Sequence, residues 1–339
     1  MTRMPLSLID FCTVDPGESI GNSIARSVEI AQAAERLGYS RIWYAEHHNM
    51  PRISSSAPAV LIAHIGAQTS RIRLGAGGVM LPNHAPYIVA EQFGMLAEMY
   101  PGRIDLGIGR APGTDMNTLR AVRRSPHAAD SFPEDVRELQ GYLSDDPHDA
   151  PIPGVRAIPG EGTQVPLYVL GSSLFGASLA AQLGLPYAFA SHFAPTHLEG
   201  ALSYYRNNYH PSERYPEPYA IAGLTMIGAP SREESEAELE RVIRARVRAQ
   251  VGRGQPVSEA QLDAFMNSHI GENVREMFRY SVLGTEEDLR RGCEEFAEKA
   301  GVQEIMVSLQ ATGHETRMRS LEMVASACGL SGLSRPESD

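Results

Sequence analysis

Short stretches in which apolar residues alternate with small or polar ones recur along the chain, and longer stretches with helical spacing separate them. The strand-type pattern predicts eight strands, at residues 6–11, 41–45, 72–76, 104–108, 167–170, 187–190, 220–227 and 305–309. The first four begin about 30 to 35 residues apart, the spacing that repeated βα units require. Four such units favour a parallel barrel or a doubly wound sheet.

Segments with helical spacing separate these strands, and the alternation of strands and helices is interrupted in two places. Residues 119–164 combine a helix near 133–143 with a stretch rich in Asp, Pro and Gly, and residues 257–278 read as a helical insertion. A long irregular segment in a compact protein is usually functional or disordered, so 119–164 is a candidate lid. Eight strands with intervening helices predict an α/β fold, a single (β/α)8 TIM barrel spanning residues 1–339, with insertions after strands 4 and 7.

The segment 74–115 contains the most unusual local sequence. A strand runs into Gly77 and Gly78, a helix opens with Pro86, and the next strand ends in a Gly-rich loop carrying Arg110. Adjacent glycines at a strand end indicate either a β-bulge or a backbone that passes close to a ligand. In barrels of this class, ligands bind at the C-terminal ends of the strands, where these residues fall.

Composition and charge narrow the classes of function. The 339 residues are 42% hydrophobic and 21% charged, as in ordinary globular proteins, and the formal net charge of −11 disfavours nucleic acid and anionic membranes as partners. No apolar run approaches a membrane span, and the N-terminus lacks a signal-peptide pattern, so we expect a cytoplasmic protein. Three widely separated cysteines disfavour a disulfide framework or a zinc site.

Two loops have the chemistry of an anion site. Arg110 offers a planar fork of donors suited to phosphate, although an arginine after a strand is more often a surface residue. Ser172, Ser173 and Gly176 lie between a strand and a helix, where backbone N–H groups and a hydroxyl bind anions. Serines also cap helices routinely. The barrel context favours phosphate binding.

Histidines follow the second and sixth predicted strands. His47 and His48 are adjacent, so on a strand they point to opposite faces, and no Cys/His cluster supports a metal site. One of the two is expected to face inward and the other to be structural, with Glu46 either orienting His47 or capping the strand end. His192 is a second catalytic candidate, with a satisfied core histidine as the alternative.

In sequence, the motifs EHHNM (46–50), GGVMLPNH (77–84), AEQF (90–93), PGRIDLGIGRAPGTD (101–115), LGSS (170–173) and ASHFAP (190–195) resemble the bacterial luciferase-like, flavin-dependent monooxygenases. The resemblance covers roughly residues 5–330 and weakens at 119–164 and 242–280. It implies a non-proline cis peptide at Gly77–Gly78 beside the flavin ring and a flavin phosphate held by Arg110. Ser173 and Gly176, with Ser172 as a neighbour, would complete that phosphate site.

The same resemblance assigns the catalytic or flavin-adjacent histidine to His47. Bacterial luciferase has a reactive cysteine immediately before the phosphate-binding arginine, whereas this chain has Gly109. Cys12 does not replace that cysteine by motif, so no cysteine role is carried over.

The resemblance also implies an activity. It is that of an FMN-dependent monooxygenase that uses reduced FMN and O2 to oxygenate a small organic substrate through a flavin peroxide. No dinucleotide-binding fingerprint follows a first strand, so a separate NAD(P)H flavin reductase would supply electrons. A homodimer formed through the helices beside the second and third strands is expected. The alternatives are a deazaflavin-dependent oxidoreductase and a flavin-binding protein without turnover.

Overall fold

Eight parallel strands close into a barrel in the computed structural model, which describes residues 4–111, 115–125, 127–252 and 255–330. Pro112 and Gly113, at the end of the predicted second Gly-rich loop, lie outside the described residues. The first half alternates strands and helices in the order β1 (Leu6–Asp10), α1 (Ile20–Leu37), β2 (Arg41–Tyr44), α2 (Pro58–Gly66), β3 (Arg73–Met80), α3 (Pro86–Met99) and β4 (Ile104–Gly109).

The second half contains both predicted insertions. Its elements are α4 (Met116–Ala121), α5 (Phe132–Leu143), β5 (Leu167–Gly171), α6 (Leu174–Leu183), β6 (Tyr187–Phe189), α7 (Leu198–Asn207), β7 (Ala220–Gly228), α8 (Arg232–Gly252), α9 (Glu259–Met266), α10 (His269–Glu276), β8 (Ser281–Gly284), α11 (Glu286–Ala300), β9 (Glu304–Ser308) and α12 (His314–Ala327). Helices α4 and α5 follow the fourth strand, and α8 to α10 follow the seventh.

The closure of the barrel follows from the strand pairing. The closed order is β1-β2-β3-β4-β5-β6-β7-β9, with Leu6 of β1 opposite Ile305 of β9 and Tyr187 of β6 opposite Ala220 of β7. The (β/α)8 prediction is confirmed, and its insertions lie where the sequence placed them. That residues 1–339 form one domain stays a prediction.

One strand was not predicted. The four residues of β8 pair in parallel with the end of β7, with Thr225 opposite Ser281, and lie outside the closed ring. Three of its four residues are only half-buried, so the segment has no continuous apolar run to reveal it. It extends the sheet beside the insertion that carries α8, α9 and α10.

The barrel interior is filled by polar side chains at its N-terminal end. Arg41, the first residue of β2, forms ion pairs with Asp105 (2.7 Å) and Glu304 (2.9 Å). It also donates to the Tyr168 hydroxyl at 2.7 Å, while the Tyr219 hydroxyl donates to Glu304 at 2.6 Å. Because each buried charge has an opposite partner, the network tolerates burial. The C-terminal ends of the strands remain for a ligand.

The two insertions are packed in different ways. The apolar face of α5 is buried and packs on α3, which fixes this half of the 119–164 segment on the barrel wall. Helices α8, α9 and α10 instead build a small apolar core of their own, around Val247, Leu262 and Phe278. Within the described residues, no helix is both long and apolar enough to cross a membrane.

Candidate active site

The glycine pair lies inside β3, and its peptide bond is cis, as the resemblance implies. The pairing of β3 with β4 also shifts register between Ala76 and Val79, as a β-bulge or a similar irregularity does. A Cβ atom on Gly77 would lie 2.7 Å from Ile9 Cδ1, and one on Gly78 would lie 2.7 Å from the Gly107 carbonyl oxygen. Packing within the barrel therefore already requires both glycines, and their contact with a flavin stays a prediction.

Arg110 and the N-terminus of α6 come together at the ends of β4 and β5. The Arg110 guanidinium lies over the Phe175 ring, 4.1 Å from its centroid, and Phe175 belongs to the first turn of α6. Ser173 is the N-cap residue of α6, but its side chain makes no capping hydrogen bond. The first N–H groups of a helix have no partner within the helix. We call Arg110, Ser173 and this first turn the phosphate cradle.

Two further residues support the phosphate cradle. Gly176 is buried, and a Cβ atom there would lie 3.2 Å from the Tyr187 ring, so glycine lets the helix start close to β6. The Tyr187 hydroxyl donates to the Ser173 carbonyl oxygen at 3.1 Å, which fixes the N-cap. Ser172 is half-buried immediately before it. The donor set fits a phosphate: a guanidinium, a free hydroxyl and helix N–H groups.

His47 and His192 form a second centre, with Phe11 between them. The Phe11 ring centroid lies 5.8 Å from that of His47 and 6.1 Å from that of His192. Gly223 on β7 leaves room for the His192 ring, since a Cβ atom there would collide with its Nδ1. Among the described residues, neither Nδ1 atom has a hydrogen-bond partner. We call these two residues the histidine pair.

Both members of the histidine pair are shifted towards the neutral form. Burial lowers the pKa of His47, and this outweighs the opposing effect of the Glu46 carboxylate. Burial, followed by the positive charge of Arg246 and that of His47 when it is protonated, lowers the pKa of His192 to about 4. Two neutral imidazoles at pH 7 are available to accept or relay a proton.

Glu46 organises the other histidines of the motif. Its carboxylate is fully buried and bonds His48 Nε2 at 2.7 Å and His84 Nε2 at 2.8 Å, while it accepts the Met80 N–H at 3.0 Å. Burial alone would raise the pKa of Glu46, but these hydrogen bonds hold it below the usual value. Among the described residues, Glu46 makes no hydrogen bond to the His47 ring. Glu46 therefore orients His48, the structural histidine, and the end of β3.

Sequence reasoning missed Arg246 on α8. Its guanidinium carbon lies 5.2 Å from the centroid of the Phe278 ring, and its charge acts on both imidazoles of the histidine pair. The residue stands in a helix that also carries Arg241, Arg244 and Arg248, so the sequence alone offers no signal that separates it from a solvated charge.

Exposed apolar side chains surround the barrel mouth. Met50, Met116, Phe175 and Phe193 follow four different strands and are all exposed. Short contacts tie α4 to the neighbouring loops, with Asn49 donating to Asp115 at 3.0 Å. The exposed apolar side chains suit an apolar ligand. Because α5 is fixed on α3, the part of residues 119–164 and its neighbourhood that remains a candidate lid is the segment around α4.

No metal site is found in the part of the chain that the structure describes, where no group of three or more His, Cys, Asp or Glu side chains could hold an ion. A cleft of about 430 Å³ lies on the first insertion, lined by residues that include Tyr142 and Arg156. None of the predicted site residues lines it. Cys12 is buried and contacts the Ser23 carbonyl oxygen of α1 at 3.5 Å, which is a structural role.

Comparison with known proteins identifies the family. The family pattern described as luciferase-like monooxygenase matches residues 4–304. The chain belongs to the luciferase-like monooxygenase family. A protein of Escherichia coli (strain K12) that is itself named luciferase-like monooxygenase is 43% identical over 320 residues, 94% of this chain and 95% of that protein. The N-acetyl-S-alkylcysteine monooxygenase of Bacillus subtilis (strain 168) is 40% identical over 189 residues, 55% of this chain and 56% of that protein.

Solved structures of other proteins agree with the barrel. The crystal structure of apo-MsnO8 is 32% identical with a TM-score of 0.85, covering 97% of this chain and 98% of that one. The FMN complex of the oxygenating constituent of 3,6-diketocamphane monooxygenase from Pseudomonas putida has a TM-score of 0.74 at 16% identity, covering 96% and 98%. An F420-dependent secondary alcohol dehydrogenase has a TM-score of 0.72 at 17% identity, covering 96% and 99%. The last two show the fold alone. Family membership supports a monooxygenase oxidoreductase.

Proposed function

We propose that the protein is an FMN-dependent monooxygenase that uses reduced FMN and O2 to oxygenate a small organic substrate. The observation that carries the proposal is the phosphate cradle at the same barrel mouth as the histidine pair, in a chain of the luciferase-like monooxygenase family. An anion site alone would suit many phosphorylated ligands. An anion site beside two neutral imidazoles and exposed apolar side chains suits a flavin together with an organic substrate.

The cofactor and the protein divide the work. Bound reduced FMN would supply the activation of dioxygen, which no protein side chain provides. Arg110 and Ser173, with the first turn of α6, would bind its phosphate. His47 and His192 would accept or return a proton beside the reacting atoms. The apolar side chains at the mouth, with α4, would exclude water.

The choice between FMN and the deazaflavin coenzyme rests on the family relatives. Two relatives that share at least 40% of their aligned residues with this chain carry monooxygenase names. The F420-dependent neighbour supports no more than the shared fold. Titration calorimetry with FMN, riboflavin and F420 tests this choice. We expect FMN to bind most tightly, and preferential binding of F420 would reverse the assignment.

Turnover separates an enzyme from a flavin-binding protein. N-acetyl-S-alkylcysteines are the first compounds to test, because a relative named for them aligns with 55% of this chain. The protein is mixed with reduced FMN, oxygen and N-acetyl-S-methylcysteine, and mass spectrometry detects addition of one oxygen atom. FMN binding without oxygenation of this or any related thioether would favour the non-catalytic reading.

Two partners belong to the same proposal. A separate NAD(P)H flavin reductase would supply reduced FMN. A second copy of the chain would cover an exposed apolar face formed by Val60 of α2 with Ile88, Met95 and Met99 of α3, which are 72%, 45%, 52% and 50% exposed. The three α3 residues recur at spacings of seven and four, which places them on one face of the helix. Such a face on a barrel wall is typical of an interface.

A further inference from the structure

Arg246 is a half-buried cation without an acidic partner among the described residues. Its Nη1 atom contacts the Met277 sulfur at 3.9 Å, and its guanidinium lies on the Phe278 ring. Neither neighbour carries a charge. A half-buried charge that has lost part of its water without gaining a counter-ion is unfavourable, so a ligand that provides the opposite charge is expected to bind there.

Arginines on the same helix show that this situation is specific to Arg246. Arg244 pairs with Asp263 at 2.7 Å and with Glu259 at 3.0 Å, and Arg248 pairs with Glu259 at 2.5 Å. Both hold α9 on α8. Arg246 lies between them in sequence, and its guanidinium lies on the Phe278 ring instead of pairing with these acids. Within the described residues, Arg246 therefore forms no ion pair that stabilises the insertion.

The position of Arg246 also separates it from the phosphate cradle. The phosphate cradle is built by the loops after β4 and β5, whereas α8 follows β7. Phe11 contacts both His47 and His192, and the charge of Arg246 acts on both imidazoles. The charge of Arg246 therefore reaches the histidine pair, beside which the proposed function places the organic substrate.

We propose that the organic substrate carries a carboxylate and that Arg246 binds it, with the apolar part of the substrate against Phe11 and Phe278. This substrate class rests on the proposed function, which it makes more specific. The planar fork of an arginine fits the two oxygens of a carboxylate. One end of the substrate would then be fixed by the second insertion, and the histidine pair would face its reacting atom.

The test uses benzoate as a minimal aromatic carboxylate and benzamide as its neutral counterpart of the same shape. Histidine ring resonances are followed by NMR in the full chain with labelled histidine, and the signals of His47 and His192 are assigned with His47→Gln and His192→Gln. Benzoate is expected to shift both signals with a saturable midpoint, and benzamide is not. Absence of a saturable response to benzoate, or an equal response to benzamide, would overturn the proposal.

Variants locate the benzoate site. Arg246→Met is expected to raise the benzoate midpoint by about tenfold or more, because a charge-assisted bond is lost. Arg246→Lys keeps the charge, so its benzoate midpoint should lie between those of the unsubstituted protein and Arg246→Met. If Arg246→Met has a lowered melting temperature, Arg246→Gln is used in its place. Arg248→Met, the matched control on the same helix, should leave the midpoint unchanged. An unchanged midpoint in Arg246→Met would show that the carboxylate binds elsewhere.

Two measurements keep this proposal separate from the assignment of FMN. Arg110→Ala should retain the benzoate response, and Arg246→Met should retain FMN affinity by calorimetry. Loss of the response in Arg110→Ala would place benzoate in the phosphate cradle and overturn the role of Arg246. If the unsubstituted protein responds to benzoate but does not bind FMN, the proposed function fails while the carboxylate site stands.

Discussion

The guanidinium carbon of Arg110 lies 4.1 Å from the centroid of the Phe175 ring, so the loop after β4 is fixed on the first turn of α6. A cation over an aromatic face is attracted to it, which orients the flat guanidinium before any ligand arrives. The stacked guanidinium keeps its edge, which carries the hydrogen-bond donors, available to a ligand. This contact supports the proposal that Arg110, an exposed residue directly after β4, binds a phosphate.

The first prediction concerns Arg110. Arg110→Ala should weaken FMN binding by about 1.5–3 kcal/mol for each charge-assisted hydrogen bond lost, with little change in riboflavin binding. Titration calorimetry of both ligands measures the difference. Arg137→Ala, an exposed arginine on α5, is the control and should bind both ligands as before. Equal losses for FMN and riboflavin would rule out the phosphate assignment, because riboflavin has no phosphate.

The second prediction concerns His47. Its unpartnered Nδ1 and lowered pKa suit proton transfer, so His47→Gln should reduce oxygenated product per reduced FMN more than it reduces FMN affinity. Product and hydrogen peroxide are measured in single turnovers, with N-acetyl-S-methylcysteine as the first substrate. The neighbouring His48→Gln, which loses the bond to Glu46, should lower the melting temperature and keep the product yield. Full product yield in His47→Gln would make His47 structural.

The third prediction concerns pH. The pKa of His192 is lowered to about 4 in the folded protein, so below its ordinary value of about 6.5 the unfolded chain binds a proton that the folded chain does not. The stability contributed by neutral His192 is therefore present above pH 6.5 and is lost as the pH falls towards 4. In His192→Gln, the melting temperature should fall less steeply between pH 6.5 and 4.5. Identical slopes would mean that His192 titrates normally.

The barrel could be read from the sequence because its signals are local and repeated. Each strand of the closed ring has a buried apolar run, and Gly38, Gly184 and Gly301 end helices with positive φ, as left-handed C-caps do. β8 has no such run and depends on pairing with β7, so it was not predicted. The packing of α5 on α3 is also a tertiary contact that the Asp-, Pro- and Gly-rich sequence around it does not reveal.

The sequence predicted the residues of the phosphate cradle and the histidines because each belongs to a motif at a strand end. The sequence did not reveal which residues form hydrogen bonds or electrostatic contacts with each of these side chains. The sequence suggested that Glu46 orients His47 or caps the strand, but in the structure its hydrogen bonds go to His48 and His84 instead. Arg246 lies about 200 residues from His47 in the chain, and no local pattern marks a long-range electrostatic contact of this kind.

The fourth prediction concerns the homodimer. The apolar face of α2 and α3 should be covered by a second copy, so the double variant Val60→Lys and Met95→Lys should shift the protein to a monomer by placing charges in the interface. Sedimentation velocity measures the mass. Ile20→Lys, at an exposed apolar position on α1, is the control and should leave the dimer intact. A monomeric unsubstituted protein would show that this face has another occupant.

The last prediction concerns the source of electrons. The described residues form one barrel, and the sequence has no glycine-rich dinucleotide fingerprint after its first strand. A mouth that accommodates FMN and an organic substrate has little room for a nicotinamide dinucleotide as well. The pure protein is mixed anaerobically with FMN and excess NADPH, or NADH, and the flavin absorbance is followed. We expect slow bleaching, and fast bleaching with sustained turnover once a flavin reductase is added. Rapid stoichiometric reduction without the reductase would show a self-sufficient enzyme, because hydride would then reach the flavin from a nucleotide bound by this chain.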